Sequence, residues 1–323
     1  MNTIPTTLSD SAVPYTVVGG ARGGTGSGSG VPVSLVILDR GPRLFRAEAL
    51  RDFDRLGFDS ITCVEEQGGE LFDIESLCQR FPRLRFILLG APANTGTRIN
   101  IAIRESASPF VFVLWNDMSI ATAGLSGRFL ERIVEKDRVC LAPFLSGADG
   151  GLLPVSATPA LQGSSLRILP LSAAREGARS LYPFDYCGIY SRERFILLGG
   201  YDGRLANPFW QRLDFGFRAW LWGEEIRLSQ SLRVAYEEGP PQDDATIDAD
   251  YRWFWLKNIA PRHRGDSSVL PRPRFLEYLV SRKGGLVGAL GEFRAARAWV
   301  ELNRFRFRED AERLVELWEE EGE

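Results

Sequence analysis

The chain has 323 residues, of which 44% are hydrophobic and 25% are charged, and its formal net charge is only −3. This composition is typical of a globular protein with a sizeable core, and it gives no reason to expect nucleic-acid binding through bulk charge. No apolar run approaches the ~20 residues that a membrane-spanning helix needs. The four cysteines show no paired spacing, so we expect a reducing, cytoplasmic setting.

The first segment, residues 1–30, is expected to be a flexible leader. Its second half is nearly all glycine and serine, which offer little apolar surface to offset the entropy lost on ordering. The glycine cluster precedes the first predicted strand and lacks the GxGxxG spacing. It therefore does not indicate a dinucleotide-binding turn.

Alternating strands and helices are predicted between residues 33 and 144. Continuous β-rich runs predict the strands, and apolar residues at helical intervals predict helices around 44–56, 74–80, 99–106 and 125–136. The strands are Val33–Leu38, Ser60–Val64, Leu84–Leu89, Phe110–Leu114 and Val139–Phe144. This alternation predicts a parallel sheet, and such sheets bind ligands at the carboxyl ends of their strands.

The pattern changes after this half-domain. Residues 146–172 are rich in Gly, Pro and Ser and predict a long loop with no core element. A strand over 185–190, a turn over 195–202 and a helix over 210–222 follow. An acidic, breaker-rich stretch at 240–250 marks the predicted boundary between a domain of residues 31–239 and a helical extension of residues 240–323, which ends in an amphipathic helix over 309–320.

One segment suggests a fold family. Asn94 to Asp117 reads as a turn, a helix and a buried strand that ends in Trp115, Asn116 and Asp117. It resembles the stretch of family 2 glycosyltransferases that leads to their DxD motif. The resemblance implies an α/β protein of the GT-A fold, with a mostly parallel, Rossmann-like sheet, helices on both faces and a helical C-terminal extension.

The same resemblance implies a donor site. In this family a divalent cation, held by carboxylates of the DxD motif, neutralises the diphosphate of a nucleotide sugar. Asp117 is the only carboxylate left in the motif, so it is the candidate ligand for Mn²⁺ or Mg²⁺, with Asn116 beside it. The alternative is that both are turn residues after a core strand.

Further donor contacts follow from the family pattern. Asp39, at the end of the first strand, stands where the base is contacted, and Glu65 and Glu66 follow the second strand where the family places acidic residues. Arg98 is a candidate partner for phosphate oxygens, because arginine binds them with two parallel hydrogen bonds.

A second segment, Tyr186 to Gly223, resembles the acceptor side of the same family. A strand with small residues leads to a GGFD-like turn and a helix, and Asp214 with Arg218 sets the register of that helix. Gln211 and Arg212 then stand where the family has the Glu-Asp pair that supplies the general base. Arg212 stays protonated and has no acceptor atom, so it cannot take this role.

Another carboxylate must serve as general base if the protein is an enzyme. The candidates near the acceptor segment are Asp214, Asp202 and Asp185. Asp214 is favoured because it lies one helical turn from Gln211, although a structural role at the helix start is the alternative.

The predicted function is transfer of a sugar from a nucleotide-diphosphate donor to a hydroxyl of a glycan or lipid-linked acceptor. The first alternative is an inactive GT-A protein that binds a nucleotide sugar, a glycan or a partner protein. The second is a nucleotidyltransferase, which residues 39–43 suggest only faintly. Arginine and aromatic residues in the tail are compatible with docking at the inner face of a membrane, although packing against the main domain also explains them.

Overall fold

The structure is a computed structural model, and it describes residues 13–20, 33–40, 46–66, 73–121, 138–162, 165–172, 175–280 and 286–320. The strands are β1 (Tyr15–Gly19), β2 (Val33–Leu38), β3 (Ile61–Glu66), β4 (Leu84–Leu89), β5 (Phe110–Trp115), β6 (Met118–Ile120), β7 (Cys140–Ser146), β8 (Ser156–Gln162), β9 (Ser165–Leu171), β10 (Gly188–Ser191), β11 (Ile226–Tyr236), β12 (Arg262–Arg264) and β13 (Ser267–Val269). The helices are α1 (Arg46–Arg55), α2 (Ile74–Arg80), α3 (Thr95–Glu105), α4 (Arg192–Leu198), α5 (Pro208–Leu221), α6 (Ala249–Phe254), α7 (Arg274–Val280), α8 (Leu286–Asn303) and α9 (Ala311–Glu320).

The described part of the chain contains one large sheet with the strand order β1-β4-β3-β2-β5-β10-β7-β11-β6. Strands β4, β3, β2 and β5 pair in parallel, and β7 pairs in parallel with β11. Strands β1, β10 and β6 run antiparallel to their neighbours. All residues of β2 are buried, as expected for a central strand covered on both faces. The predicted mostly parallel α/β sheet is confirmed.

The helix before β5 begins where the sequence places a turn. The Asn94 side chain accepts a hydrogen bond from the backbone N–H of Thr97 at 2.9 Å, which satisfies one of the unpaired donors at the start of α3. Ile99, Ala102 and Ile103 of this helix are fully buried. The cap and the apolar face together fix α3 against the sheet.

Three local expectations differ from the structure. Residues 15–19, inside the predicted leader, form β1 and pair with the edge of β4. The predicted loop at 146–172 contains strands β8 and β9, which pair antiparallel from Ser156 opposite Leu171 to Gln162 opposite Ser165. The first residues of the predicted turn at 195–202 belong to helix α4. This helix is capped at its C-terminus by Gly199, which has a φ of 87°. The helix predicted over 125–136 and leader residues 1–12 and 21–30 lie outside the described residues.

The C-terminal helices pack on the sheet domain. Trp222 stacks on Trp299 of α8 with ring centroids 6.0 Å apart, and Trp220 contacts Trp318 of α9 at 4.8 Å. Side chains of both parts belong to one hydrophobic core. The boundary near residue 240 stays a prediction. Among the described helices, none has the length and apolarity required to cross a bilayer.

Candidate active site at the carboxyl edge of the sheet

Several strand ends place polar side chains along one edge of the sheet. Asp39 follows β2, Glu66 ends β3 and Asn116 follows β5. Because these strands are parallel, their carboxyl ends meet at the same edge. Strand β10 runs the other way, so the turn before it, which contains Asp185, lies at this edge too. Residues predicted for the donor and acceptor sides are therefore neighbours.

Asn116 connects the ends of β2 and β5. Its side-chain Nδ2 donates to Asp39 Oδ1 at 2.6 Å, and its Oδ1 accepts from the backbone N–H of Arg40 at 3.0 Å. Two of the residues predicted for the donor site are thus in direct contact. Glu65 pairs in register with Leu88 near the end of β3, one position before Glu66.

Arg98 connects the ends of β2 and β3. Its Nη2 donates to a carboxylate oxygen of Glu66 and its Nη1 contacts the backbone oxygen of Asp39 at 3.5 Å. A third bond, from Nε to the carbonyl of Ala93 at 3.2 Å, fixes the base of the side chain. Arg98 therefore organises the edge, and any contact with a phosphate stays a prediction.

The guanidinium of Arg40 is the centre of the site. Its Nη2 donates to both carboxylate oxygens of Asp185, at 2.8 and 2.7 Å, and its Nη1 contacts Asp117 Oδ2 at 3.4 Å. The guanidinium lies over the ring of Trp115, 3.9 Å from the ring centroid. Tyr236 Oη donates to Asp185 Oδ2 at 2.8 Å. Arg40 thus joins the donor-side Asp117 to the acceptor-side Asp185.

The turn that carries Asp185 is strained. Asp185 and Tyr186 have φ values of 47° and 62°, in a region that residues other than glycine rarely adopt. Such residues cost roughly 1–3 kcal/mol each and persist where the surroundings hold them. The backbone oxygen of Asp185 accepts from Trp115 Nε1 at 2.9 Å, and Tyr186 Oη donates to Gln211 Oε1 at 2.8 Å.

Burial raises the pKa of Asp185 above its ordinary value, although the charge and hydrogen bonds of Arg40 oppose this shift. A carboxylate with a raised pKa is a better general base near neutral pH than an ordinary one. Strained backbone and shifted pKa values occur often at functional sites, so this turn is a candidate part of the site.

Gln211, at one of the two expected base positions, has a structural role. Its Oε1 accepts from the Gly96 N–H at 2.8 Å, and its Nε2 donates to the carbonyls of Asp202 and Leu205. A Cβ atom at Gly96 would lie 2.6 Å from Gln211 Cδ, so the Asn94-x-Gly96 turn needs glycine to let α5 approach α3. The turn at residues 94–96 therefore allows the close packing of α3 against α5.

Arg212, at the other expected base position, is 3% exposed and is enclosed by aromatic rings. Its guanidinium carbon lies 5.3 Å from the ring centroid of Tyr182 and 5.6 Å from that of Tyr186, and it forms an ion pair with Asp243. Burial alone would lower the pKa of Arg212, but its neighbours, Tyr182 and Asp243 first, raise it. It remains a cation at all relevant pH values, as the sequence predicts.

Asp214, the favoured candidate for the general base, lies in the interior of the protein. Asp214 is fully buried, with Oδ2 3.0 Å from Arg218, and Oδ1 contacts Lys257 and Asn258. Asp202 is 4% exposed and its Oδ2 pairs with Lys257 at 2.7 Å. These contacts with Lys257 and Arg218 belong to a separate buried ion-pair group, which does not include Arg40 or Asp117. Of the three candidates, Asp185 alone lies in the cluster with Asp117.

A divalent metal fits this site poorly. Asp117 Oδ2 contacts Arg40, which leaves a single oxygen of this carboxylate for a metal ion. That oxygen, Oδ1, is buried and has no hydrogen-bond partner among the described residues. Trp115 stands where a second carboxylate is expected. Within the described ranges no three histidine, cysteine, aspartate or glutamate side chains form a group that could hold a metal. A divalent ion bound to Asp117 would also lie near the guanidinium of Arg40, and the two positive charges would repel each other.

Arg40 is the residue that sequence reasoning did not assign to the donor site. Arg40 follows strand β2, and the sequence indicates it only as part of residues 39–43, which faintly suggest a nucleotidyltransferase. Asp185 lies 145 positions away in the sequence, so their pairing is invisible in any local pattern. The available signal was the loss of one DxD carboxylate to tryptophan, whose ring attracts cations.

The mostly parallel sheet with its antiparallel strands and packed helices gives the chain a GT-A fold. No protein-family model matches the sequence, and no curated protein matches it significantly. Among solved structures, that of GalNAc-T7 with UDP, GalNAc and Mn²⁺ matches with a TM-score of 0.53 and 13% identity over 82% of this chain. The match covers 54% of GalNAc-T7, so the chain spans about half of that protein's length.

A second solved structure, residues 1–349 of TarS from S. aureus, matches with a TM-score of 0.49 and 14% identity over 82% of this chain and 71% of its own. The match to GalNAc-T7 establishes the fold at this level of identity. It confirms the GT-A architecture that the two sequence segments implied.

Proposed function

We propose that this chain binds a nucleotide-diphosphate sugar at the carboxyl edge of its sheet and transfers the sugar to a hydroxyl acceptor. The supporting observation is the cluster of Arg40, Asp117 and Asp185, which brings the ends of β2 and β5 together with the turn before β10. In open α/β sheets this edge is the ligand site. The solved GalNAc-T7 structure, of the same fold, holds UDP and GalNAc.

The donor is proposed to lie against the ends of β2, β3 and β5. Asp39 and Asn116 are positioned for the nucleoside, where carboxylate and amide groups give directional hydrogen bonds. Glu65 and Glu66 border this region, with Arg98 between Glu66 and the end of β2. The diphosphate is then proposed to lie beside Asn116 and Asp117.

Nucleotide binding can be tested by thermal unfolding with UDP, GDP and dTDP. A ligand that binds only the native state stabilises it by about 2.7 kcal/mol at 100 times its dissociation constant, so one of the three should raise the melting temperature. Asp117→Asn should reduce this gain, because Asp117 helps to hold the guanidinium of Arg40 beside the proposed diphosphate. Asp52→Asn, at an exposed position of α1, is the matched control and should leave it unchanged. No gain with any of the three nucleotides refutes the donor site.

We propose Asp185 as the general base of the transfer. It lies on the acceptor segment, its pKa is raised by burial, and its backbone is held in the strained turn. A positioned base contributes ~10²- to 10⁴-fold, so Asp185→Asn should lower kcat by that order when turnover is followed by release of nucleoside diphosphate. Equal kcat in the wild type and the variant would exclude Asp185.

An inactive GT-A protein is the second candidate, and the interior positions of Gln211 and Arg212 favour it. Neither side chain can accept a proton from an acceptor, and both are fixed by buried contacts. In this case nucleotide binding would persist while no nucleotide sugar is hydrolysed or transferred. Binding without turnover across UDP-, GDP- and dTDP-sugars would establish it and would exclude the transferase.

Peripheral contact with the cytoplasmic face of a membrane also stays a proposal. Its support is a set of exposed apolar side chains on α7 and at the start of α8, namely Leu276, Val280, Leu286 and Val287, which are 67 to 90% exposed. Arg272 and Arg274 precede them in sequence and would favour anionic headgroups. Flotation with vesicles containing phosphatidylserine tests this; recovery equal to that with neutral vesicles would contradict it.

A further inference from the structure

We infer that Arg40 takes the place of a divalent metal ion in this site, so that the donor diphosphate is bound by a guanidinium of the chain itself. The inference rests on the proposed donor function. It follows from the poor fit of the described residues to a metal and from the contacts that Arg40 makes instead.

The guanidinium of Arg40 lies where a metal ion bound to Asp117 would have to be. It contacts Asp117, the remaining carboxylate of the DxD-like segment, and it is gripped by both oxygens of Asp185. A cation already lies between the two carboxylates nearest to the predicted diphosphate. A metal ion bound to Asp117 would have to share that carboxylate with a positive charge.

A tryptophan stands at the position of the other DxD carboxylate. Trp115 presents its ring to Arg40, with the guanidinium carbon 3.9 Å from the ring centroid, and its indole N–H fixes the backbone of Asp185 at 2.9 Å. An aromatic face stabilises a cation without competing for its N–H donors. Loss of the carboxylate and the position of the arginine are thus parts of one arrangement.

The guanidinium of Arg40 has further donors. Arginine has five N–H donors, and the contacts of Arg40 with the two carboxylates engage Nη1 and Nη2. Its side chain is 28% exposed, whereas that of Asp185 is 5% exposed. A phosphate oxygen can therefore approach Arg40 from the accessible side while the carboxylates hold it in place.

Metal binding alone gives the first test. Mn²⁺ is titrated into the wild type, Arg40→Met and Arg194→Met, with binding measured by calorimetry and by the shift in melting temperature. Arg194 is the matched control, because it pairs with both oxygens of Glu224 and is 27% exposed, but it lies on α4. Asp117 and Asp185 touch the same guanidinium, so Arg40→Met should leave two carboxylates able to share one ion.

The expected result is no saturable Mn²⁺ binding by the wild type or Arg194→Met, and saturable binding by Arg40→Met at Mn²⁺ concentrations at least tenfold below the highest at which the wild type shows none. Saturable binding by the wild type that Asp117→Asn abolishes would overturn the inference, as would equal Mn²⁺ affinities of Arg40→Met and the wild type. If Arg40→Met does not fold, Arg40→Lys keeps the charge and should still exclude Mn²⁺; Mn²⁺ binding by this variant would also overturn the inference.

The donor arm uses the nucleoside diphosphate identified by the thermal screen. Its affinity for the wild type should be the same in EDTA and in Mn²⁺, and Arg40→Met should lower the affinity in EDTA by about tenfold or more, because hydrogen bonds to charged groups are the stronger ones. An affinity that collapses in EDTA overturns the inference and leaves the donor site intact. If no nucleoside diphosphate binds, the proposed function fails, while the Mn²⁺ titration still decides which cation the site holds.

Discussion

Replacing Lys257 by methionine should destabilise the protein severely. The Lys257 ammonium is fully buried and lies 2.7 Å from both Asp202 Oδ2 and Asp214 Oδ1. Methionine fills a similar volume but leaves both carboxylates without this cation. Asp214 keeps its ion pair with Arg218 at 3.0 Å, whereas Asp202 keeps only neutral donors such as Trp253 Nε1.

Breaking a buried ion pair by removing one partner costs about 3–5 kcal/mol, and each kcal/mol lowers Tm by ~2–4 °C in a large domain. We therefore expect Lys257→Met to lower Tm by about 10 °C in a thermal melt followed by circular dichroism. The double variant Lys257→Met with Asp202→Asn should recover part of the loss, because it removes the uncompensated charge. A loss below ~1 kcal/mol, or a double variant less stable than the single one, would refute this account.

The pH dependence gives an independent check on the same ion pair. Burial alone would raise the pKa of Asp202, but Lys257 outweighs it and the pKa lies at about 2. A carboxyl group with a lowered pKa stabilises the fold above its unfolded pKa of ~3.9 and loses this contribution as pH falls through its folded pKa. The difference in unfolding free energy between the wild type and Lys257→Met should therefore shrink between about pH 4 and pH 2. A difference independent of pH would contradict the assignment.

Two further predictions concern the acceptor helix and the extension. Gln211→Glu should lower the free energy of unfolding by about 1–3 kcal/mol in denaturant unfolding, because Nε2 of Gln211 donates to three oxygen acceptors. The control variant Gln79→Glu, on the exposed face of α2, should leave the free energy of unfolding unchanged. Equal effects of the two substitutions would contradict the role of Gln211. A chain that ends at Gly239 should lack a cooperative thermal transition, because it loses Lys257 and the C-terminal tryptophans; a sharp transition in that fragment would show that the sheet domain folds alone.

The sheet was largely predictable because its central strands are buried on both faces. Continuous apolar runs such as Val33–Leu38 have no polar face and read clearly as strands. Strand β11 was missed because serine, glutamine and arginine interrupt its apolar residues over 226–236. The hairpin at 156–171 was missed because its strands carry Pro159 and Pro170, which ordinarily mark loops.

The candidate site was predictable only where it follows from strand ends. Asp39, Asn116 and Asp117 stand directly after β2 and β5, and parallel topology brings those ends together. Burial of Asp214 depends on Lys257, which lies 43 positions further along the chain, and no local pattern reveals such a partner. A charged residue on a helix reads the same in the sequence whether it faces solvent or a buried counter-ion.

The pairing of β1 with β4 covers one edge of the sheet and so limits self-association of the protein. β4 carries the apolar run LRFILL, and β1 occupies hydrogen-bonding groups that this strand would otherwise present along an open edge. An expression product that lacks residues 1–20 would expose that edge to other copies. Self-association and precipitation would then reflect a missing edge strand and say nothing about the integrity of the site at the far end of the strands.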